Sequence, residues 1–215
     1  MKRSVLLAAA AAVLLNPLPV LAETALYVGG SVGRGDINAS NSKLERELRD
    51  LGNAVSAVRF DGEDSAYRVY AGINLTSWFA VEFGYADLGS SLTRVTGTVT
   101  EQLREDAAAV APAMPRGPTL VGVGYVPTTL VGADPESVWG RFSLLVKFGF
   151  IDSDARGEAV VGGSRVSREV VKAETMYGLG LQYEMTDRVS FRAEVEAFDF
   201  DRSVRYPSAS LQYRF

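Results

Sequence analysis

Hydrophobic and polar residues alternate with a period of two through most of the chain. From Ser65 to Leu75, one parity is apolar and the other carries Arg, Tyr, Gly and Asn. The pattern restarts after Thr76 and Ser77 and continues from Phe79 to Ala86. Because alternate side chains of a β-strand lie on opposite faces, each segment has one apolar face and one small or charged face. The sequence therefore predicts two strands joined by a tight turn.

The same alternation predicts six further strands, which brings the total to eight. They are Leu26–Gly33, one strand within Thr119–Val131, Phe142–Phe150, Ala173–Glu184, Val189–Ala197 and Ala209–Phe215. The turn before the fifth strand is either Asp134–Ser137 or Trp139–Arg141, and we place the boundary between the two.

Long and short connections also alternate along the chain. The long polar segments are Arg34–Asp64, Gly89–Pro118 and Ala155–Val171, whereas Met185–Arg188 is a tight turn. An even number of strands, with long loops at one end and short turns at the other, is the layout of a bacterial outer-membrane barrel. A soluble β-sandwich would not require this asymmetry.

The composition of the two faces indicates which one points inward. The charged parity is rich in glycine, which suits a narrow, crowded interior, and the apolar parity carries aromatic residues near strand ends, where lipid-interface girdles lie. The inward glycines are Gly29, Gly72, Gly84, Gly149, Gly178 and Gly180. A soluble lipocalin-like barrel also alternates, so the pattern alone leaves that alternative open.

The first 22 residues have the pattern of a secretory signal peptide. Lys2 and Arg3 form a positive segment, Val5–Leu15 is an unbroken apolar run, and Ala22 offers a small residue for cleavage. An uncleaved anchor is the alternative, but the apolar run is shorter than the ~20 residues that span a bilayer. We predict a signal peptide at 1–22, cleaved after Ala22, and a barrel domain at 23–215. Losing the two cations takes the net charge from −4 to −6.

Two missing residue types exclude many kinds of chemistry. The 215-residue chain has no cysteine and no histidine. It therefore has no disulfides, thiol nucleophile or zinc finger, and no histidine base or catalytic triad. Its acidic balance also argues against a nucleic-acid partner.

Four segments resemble the OmpA-like eight-stranded outer-membrane β-barrel family. They are "YVGGSVG" near the start, "SAYRVYAGINLTSWFAVEFGYADLG", "YGLGLQYEMTDRVSFRAEVEAFDF" and "SLQYRF" at the end. Their order and spacing cover the chain from Glu23 to Phe215, apart from the loops. The resemblance implies an all-β, antiparallel, up-and-down transmembrane barrel with a periplasmic N-terminus, short periplasmic turns and long extracellular loops.

The resemblance also implies partners. Leu211, Tyr213 and Phe215 would form the C-terminal signal that the barrel-assembly machinery reads, and periplasmic chaperones would deliver the chain. Outer-membrane lipid and lipopolysaccharide would surround a monomer. Because the barrel fills the sequence, we expect none of the peptidoglycan-binding domain that many family members carry.

The charged parity predicts a network of charges inside the barrel. Its members are Arg68, Glu82, Lys147, Glu174, Glu184, Arg192, Glu194 and Arg214, with Glu196 nearer the outer end. An eight-stranded interior is only wide enough to be filled by side chains, and buried charges persist only when they are paired. We expect salt bridges that plug the lumen; the alternative is that the pairs rearrange and form a narrow pore for small solutes or ions. The resemblance favours Glu82, Lys147 and Arg192 as members.

We expect no catalytic, cofactor or metal site. Glu194 and Glu196 lie about 7 Å apart on one face, a spacing compatible with a two-carboxylate hydrolase, but a filled interior leaves no cleft for a sugar. Four acidic residues near the first loop, Asp36, Asp61, Glu63 and Asp64, lack the spacing of a calcium loop.

Two loop segments have distinct patterns. Ser42–Gly52 combines a Ser42–Glu45 capping box with leucines at helical spacing, which predicts a short amphipathic helix over the outer barrel mouth. This helix either covers apolar barrel ends or recognises a host ligand, a phage or lipopolysaccharide. Ala107–Pro118 is rich in Ala and Pro and is predicted to be a mobile loop.

Together these patterns predict an integral outer-membrane β-barrel with a structural or surface-interaction role. Within the membrane class the alternative is the narrow pore. In another class the alternative is a soluble periplasmic barrel that binds an apolar ligand inside.

Overall fold

The computed structural model describes residues 25–200 and 202–215, so the predicted signal peptide and its cleavage site after Ala22 lie outside the described residues. The strands are β1 (Leu26–Ile37), β2 (Val55–Asp61), β3 (Glu63–Thr76), β4 (Phe79–Asp87), β5 (Leu92–Gly97), β6 (Ala113–Met114), β7 (Arg116–Pro127), β8 (Phe142–Val161), β9 (Ser164–Glu184), β10 (Val189–Phe198) and β11 (Val204–Arg214). The α-helices are α1 (Asn41–Asp50) and α2 (Glu101–Val110). Two short 3₁₀ helices, Thr128–Val131 and Val138–Arg141, lie between β7 and β8.

Eight of these strands form a closed antiparallel barrel. The wall runs β8-β7-β4-β3-β1-β11-β10-β9 and closes through the β8–β9 pair. The first and last strands pair directly, with Val28 opposite Tyr213. Each barrel strand neighbours the next one along the chain, so the all-β up-and-down prediction with eight strands is confirmed.

The bounds of the fourth barrel strand were not predicted from the sequence, and the structure defines them. β7 begins at Arg116, before the predicted interval Thr119–Val131, and ends at Pro127. Val121 and Val123 are buried on its inner side, while Gly122 and Gly124 face outward. Valine inside and glycine outside remove the contrast between the faces, which is why the strand was hard to locate.

The third long connection was predicted wrongly as a polar loop at Ala155–Val171. β8 and β9 instead continue as one hairpin beyond the barrel, and the chain reverses at Gly162 and Gly163, whose φ angles are +56° and +85°. Only glycine takes such angles without strain. Beyond Phe150 the outward residues become charged and the inward ones small or apolar, as expected of a sheet that has left lipid for water.

The other two long connections fold around this hairpin into what we call the outer subdomain, comprising α1, β2, β5, α2, β6 and the outer parts of β8 and β9. β5 pairs in parallel with β8, and β2 pairs with β5. The subdomain has its own buried apolar cluster: Leu44, Leu48, Val55, Val58, Val95, Leu103, Ala107, Ala111, Ala159 and Val161. The loop end of the barrel therefore carries a second, separate hydrophobic core.

Two details of the loop predictions were wrong. The cap of α1 is Ser40, whose side chain accepts a hydrogen bond from the Lys43 amide, so the capping box does not start at Ser42. The segment Ala107–Pro118 is not a loop, because it contains the end of α2, β6 and the start of β7. Ala107 lies on the buried side of α2, which contacts β8.

The outward face of the barrel wall is apolar through its central part. Valine, leucine, phenylalanine and tyrosine side chains alternate there with the inward set and remain exposed. In the part of the chain that the structure describes, no helix has the length and apolar character needed to cross a membrane.

Candidate functional site

Six charged side chains meet inside the barrel and form what we call the charge layer: Arg68, Glu82, Lys147, Arg192, Glu194 and Glu196. All six are buried. They come from four strands: β3, β4 and β8 contribute one residue each, and β10 contributes three. The inward parity of each strand brings these residues to the same level. Three cations face three carboxylates, so the formal charge of the layer is zero.

Glu82 and Lys147 are the two hubs of the layer. Glu82 accepts hydrogen bonds from Arg192 Nη1 at 2.7 Å and Arg68 Nη2 at 3.0 Å. Lys147 Nζ lies 2.6 Å from Glu194 Oε1 and 2.9 Å from Glu196 Oε1. Arg68 joins the two groups, since its Nη1 donates to Glu196 at 3.1 Å. Every member therefore has an oppositely charged partner, which offsets the cost of burying it.

Three of the predicted network members lie elsewhere. Glu184 pairs with Arg214 at 3.3 Å near the turn end of the barrel, where both side chains are partly exposed. Glu174 lies toward the loop end and pairs with Lys172. Glu196, expected nearer the outer end, is a full member of the charge layer through Arg68 and Lys147.

Tyrosines that the sequence analysis did not select complete the layer. The Tyr27 hydroxyl donates to Glu82 Oε1 at 3.1 Å, and Arg192 Nη2 donates to the Tyr125 hydroxyl at 2.8 Å. The Tyr70 ring lies 5.1 Å from the Arg68 guanidinium carbon, within cation–π range.

Glycines make room for these rings. Gly72 lies opposite Tyr27 across the β1–β3 pair, and a Cβ on Gly72 would come within 2.2 Å of the Tyr27 ring. The reciprocal contact exists between Gly29 and Tyr70, at 2.4 Å. A tyrosine facing a glycine in register on the inward parity is thus the sequence signal that could have identified these residues.

An apolar layer lies beyond the charges on the side of the outer subdomain. Ile37, Val204, Phe198 and Met176 are successive register partners across β1, β11, β10 and β9, and all four are buried. Phe198 lies two residues further out than Glu196 on the same strand. The lumen is therefore crossed first by charges and then by packed apolar side chains.

A vestibule of about 350 Å³ opens at the other end of the lumen, among the short turns. Its lining includes Asn74, Tyr125, Arg141, Gln182 and Gln212. Gln182 also accepts a hydrogen bond from Arg192 Nε at 2.9 Å. The vestibule thus ends at the charge layer.

Two ionised groups above the lipid-facing part of the wall have shifted pKa values. Asp64 accepts hydrogen bonds from the hydroxyl and amide of Ser90, both at 2.8 Å, and these bonds lower its pKa. The Arg156 guanidinium donates to Glu169 at 2.5 Å, and this contact raises the pKa of Arg156. Among the described residues, no group of three or more acidic side chains could hold a metal ion.

A closed barrel with an apolar outer wall and a charged interior is the inverse of a water-soluble barrel, and it defines an integral outer-membrane β-barrel protein. The family comparison agrees: the chain belongs to the outer membrane protein beta-barrel domain family, whose model matches residues 5–215. The protein is therefore located in the outer membrane, and the alternative of a soluble periplasmic barrel is wrong. In barrels of this class the short turns face the periplasm and the long connections face the outside of the cell.

Several solved outer-membrane barrels match most of the chain. The N-terminal β-barrel domain of Pseudomonas aeruginosa OprF is 10% identical, with a TM-score of 0.47, and the match covers 88% of this chain and 97% of that one. Neisserial surface protein A is 13% identical, with a TM-score of 0.46 and coverages of 88% and 97%. Ail, the attachment invasion locus protein of Yersinia pestis, is 13% identical, with a TM-score of 0.46 and coverages of 89% and 97%. No curated protein sequence matches the chain.

Proposed function

We propose that this protein is a non-conducting, non-enzymatic barrel that presents its outer subdomain at the cell surface for structural or surface interactions. The observation that carries the proposal is the pair of packed layers inside the barrel, the charge layer and then the apolar layer, an arrangement that we call the double closure. The outer subdomain, which is folded rather than loop-like, provides the surface.

The double closure favours a plug over a narrow pore. Rearranged salt bridges alone would not open a path, because the row from Ile37 to Met176 would still exclude water as a hydrophobic constriction does. An ion that passed Lys147 and Glu196 would next meet the buried ring of Phe198. Conduction would require both layers to move.

The carboxylates of the lumen are poorly placed for catalysis. Glu194 and Glu196 both contact the Lys147 ammonium and are buried. A glycosidase needs its carboxyl groups on either side of a substrate bond. Here a lysine and the barrel wall occupy that space, which supports a non-enzymatic role.

The outer subdomain is suited to presenting a fixed surface. Asn53 Nδ2 donates to Asp106 Oδ2 at 2.7 Å and links the first long connection to the second. Arg202 Nη2 donates to Glu47 at 2.6 Å and links the last connection to α1. These cross-links and the apolar cluster keep the surface ordered before any partner binds. Binding would therefore cost little conformational entropy.

Assembly and delivery complete the proposal. Leu211, Tyr213 and Phe215 share the outward parity at the end of β11, and the rings of Tyr213 and Phe215 lie 5.3 Å apart. We propose that the barrel-assembly machinery reads these three side chains, that periplasmic chaperones deliver the chain, and that lipopolysaccharide surrounds the finished monomer. Cleavage after Ala22 remains a prediction.

A liposome-swelling assay tests the closed lumen. The refolded protein, incorporated into lipid vesicles, should allow no faster swelling in small sugars than protein-free vesicles do. A general porin serves as the positive control. Swelling that rises with the amount of incorporated protein would contradict the proposal.

Surface presentation can be tested with lysine labelling on intact cells. Lys43 on α1 is exposed in the outer subdomain, whereas Lys147 is buried in the lumen and serves as the internal control. A membrane-impermeant amine reagent should modify Lys43 and leave Lys147 unmodified. Labelling of Lys43 only after cell lysis would show that the outer subdomain is not at the cell surface and would contradict the proposal.

A further inference from the structure

The connection between β7 and β8 is the longest one at the periplasmic end. It spans residues 128–141, whereas β3 and β4 are joined by residues 77–78 and β9 and β10 by residues 185–188. We call it the β7–β8 turn. Since barrels of this class use short periplasmic turns, its length calls for an explanation.

The β7–β8 turn is folded and internally hydrogen-bonded. The Thr128 hydroxyl donates to the carbonyl of Phe142 at 2.9 Å. The Ser137 hydroxyl donates to the Asp134 carbonyl at 2.6 Å and accepts from the Gly140 amide at 3.2 Å. A Cβ on Gly140 would come within 2.4 Å of the Asp134 carbonyl, so the close approach requires glycine. The turn therefore holds its side chains in fixed directions.

Four large apolar side chains of this turn are exposed. Leu130, Val131, Val138 and Trp139 have between 64% and 80% of their surface accessible. A short, rigid segment that exposes so much apolar surface is the pattern of an interaction site. The polar residues Asp134 and Glu136 lie between them, at the tip of the turn.

The position of Trp139 indicates what covers this surface. Its ring lies 5.6 Å from that of Phe142, which in turn lies 4.9 Å from that of Tyr183. Phe142 and Tyr183 belong to the outward parity of β8 and β9, so Trp139 extends the lipid-facing wall. Arg141, two residues on, lines the vestibule instead. The turn thus has a lipid side and a water side.

We propose that the β7–β8 turn docks onto the phospholipid surface of the inner leaflet of the outer membrane. Leu130, Val131, Val138 and Trp139 enter the boundary between headgroups and acyl chains, and the acidic tip stays in the periplasm. Tryptophan prefers this depth because its ring is apolar and its indole N–H is polar. The turn would fix the height of the barrel on the side of β8, independently of whether the lumen conducts.

The two tryptophans of the chain make the proposal measurable. In a Trp78→Phe/Trp139→Phe background, Val131→Trp places a single fluorophore at the most exposed of the four apolar positions. The protein is refolded into phosphatidylcholine vesicles whose acyl chains carry bromine either near the headgroup or near the terminal methyl. Folding of each variant is checked by heat-modifiable gel mobility.

We expect lipid with bromine near the headgroup to quench most of the tryptophan emission, and lipid with bromine near the terminal methyl to quench less. Aqueous acrylamide should quench the emission only weakly. Trp78→Phe alone, which leaves Trp139 as the fluorophore, should give the same order. A fluorophore at position 131 that acrylamide quenches strongly and that neither bromolipid affects would overturn the proposal. That outcome would favour a periplasmic protein as the occupant of this surface.

Discussion

The charge layer predicts a large and specific cost for removing Glu82. Its carboxylate accepts hydrogen bonds from Arg68, Arg192 and Tyr27. Glu82→Ala leaves three buried cations facing two carboxylates. Breaking a buried ion pair by removing one partner costs about 3–5 kcal/mol. At 1.4 kcal/mol per factor of ten, the unfolding equilibrium should shift by roughly two to three and a half orders of magnitude.

The assay is urea unfolding of the protein refolded in lipid vesicles, with the folded fraction read from gel mobility without boiling. Glu184→Ala is the matched control, because the Glu184–Arg214 pair is partly exposed and should contribute about 0–1 kcal/mol. Adding Arg192→Met to Glu82→Ala restores neutrality and should recover part of the loss, with a coupling of about 0.5–3 kcal/mol. If Glu82→Ala unfolds at the same urea concentration as Glu184→Ala, the charge layer does not stabilise the barrel and the reasoning fails.

Three further predictions concern the wall, the outer subdomain and assembly. Gly72→Ala should destabilise the barrel by about 1–3 kcal/mol in the same unfolding assay, because the Tyr27 ring occupies the space that the new methyl group would need. Gly30→Ala is the control: its Cβ would have no neighbour closer than 3.8 Å, so this variant should match the unmodified protein. Leu44→Ala should loosen the outer subdomain by about 2–5 kcal/mol and make it sensitive to limited proteolysis while the barrel stays folded, whereas the exposed Leu51→Ala should not. Deleting Phe215 should lower the amount of heat-modifiable protein in the outer membrane, and normal insertion without it would count against the C-terminal signal.

The barrel itself could be predicted from sequence because lipid imposes a strong pattern. A strand such as β10 must place Phe191 and Val195 outward and Arg192 and Glu194 inward, and the period-two alternation records that requirement directly. β7 shows the limit of the method: with Val121 inside, neither face differs enough from the other to mark the strand.

The outer subdomain could not be predicted because the parity that carries the charged residues changes at the membrane boundary. In β8 the inward residue is Lys147 within the membrane, but Ala155 and Ala159 beyond it, where Asp154 and Glu158 face outward. Because the charged residues change from the inward to the outward parity, the barrel pattern stops there, and the strand is predicted to end too early. The contacts that close the subdomain also join residues far apart in sequence, which no local pattern can reveal.

The lumen was predictable in kind but not in arrangement. Inward parity was enough to nominate Glu82, Lys147 and Arg192 as interior groups. Parity says nothing of height along the barrel, so it could not separate Glu184, at the periplasmic mouth, from the charge layer. Height depends on strand register and tilt, which only the paired structure supplies.

The measurement that tests the central claim most directly is a planar-bilayer current recording on the refolded protein. The double closure predicts no discrete current steps, and it predicts that Glu82→Ala stays silent as well, because the apolar layer around Phe198 remains in place. Reproducible single-channel openings in the unmodified protein, altered in size or frequency by Glu82→Ala or Lys147→Ala, would show that the lumen is a pore and would contradict the account.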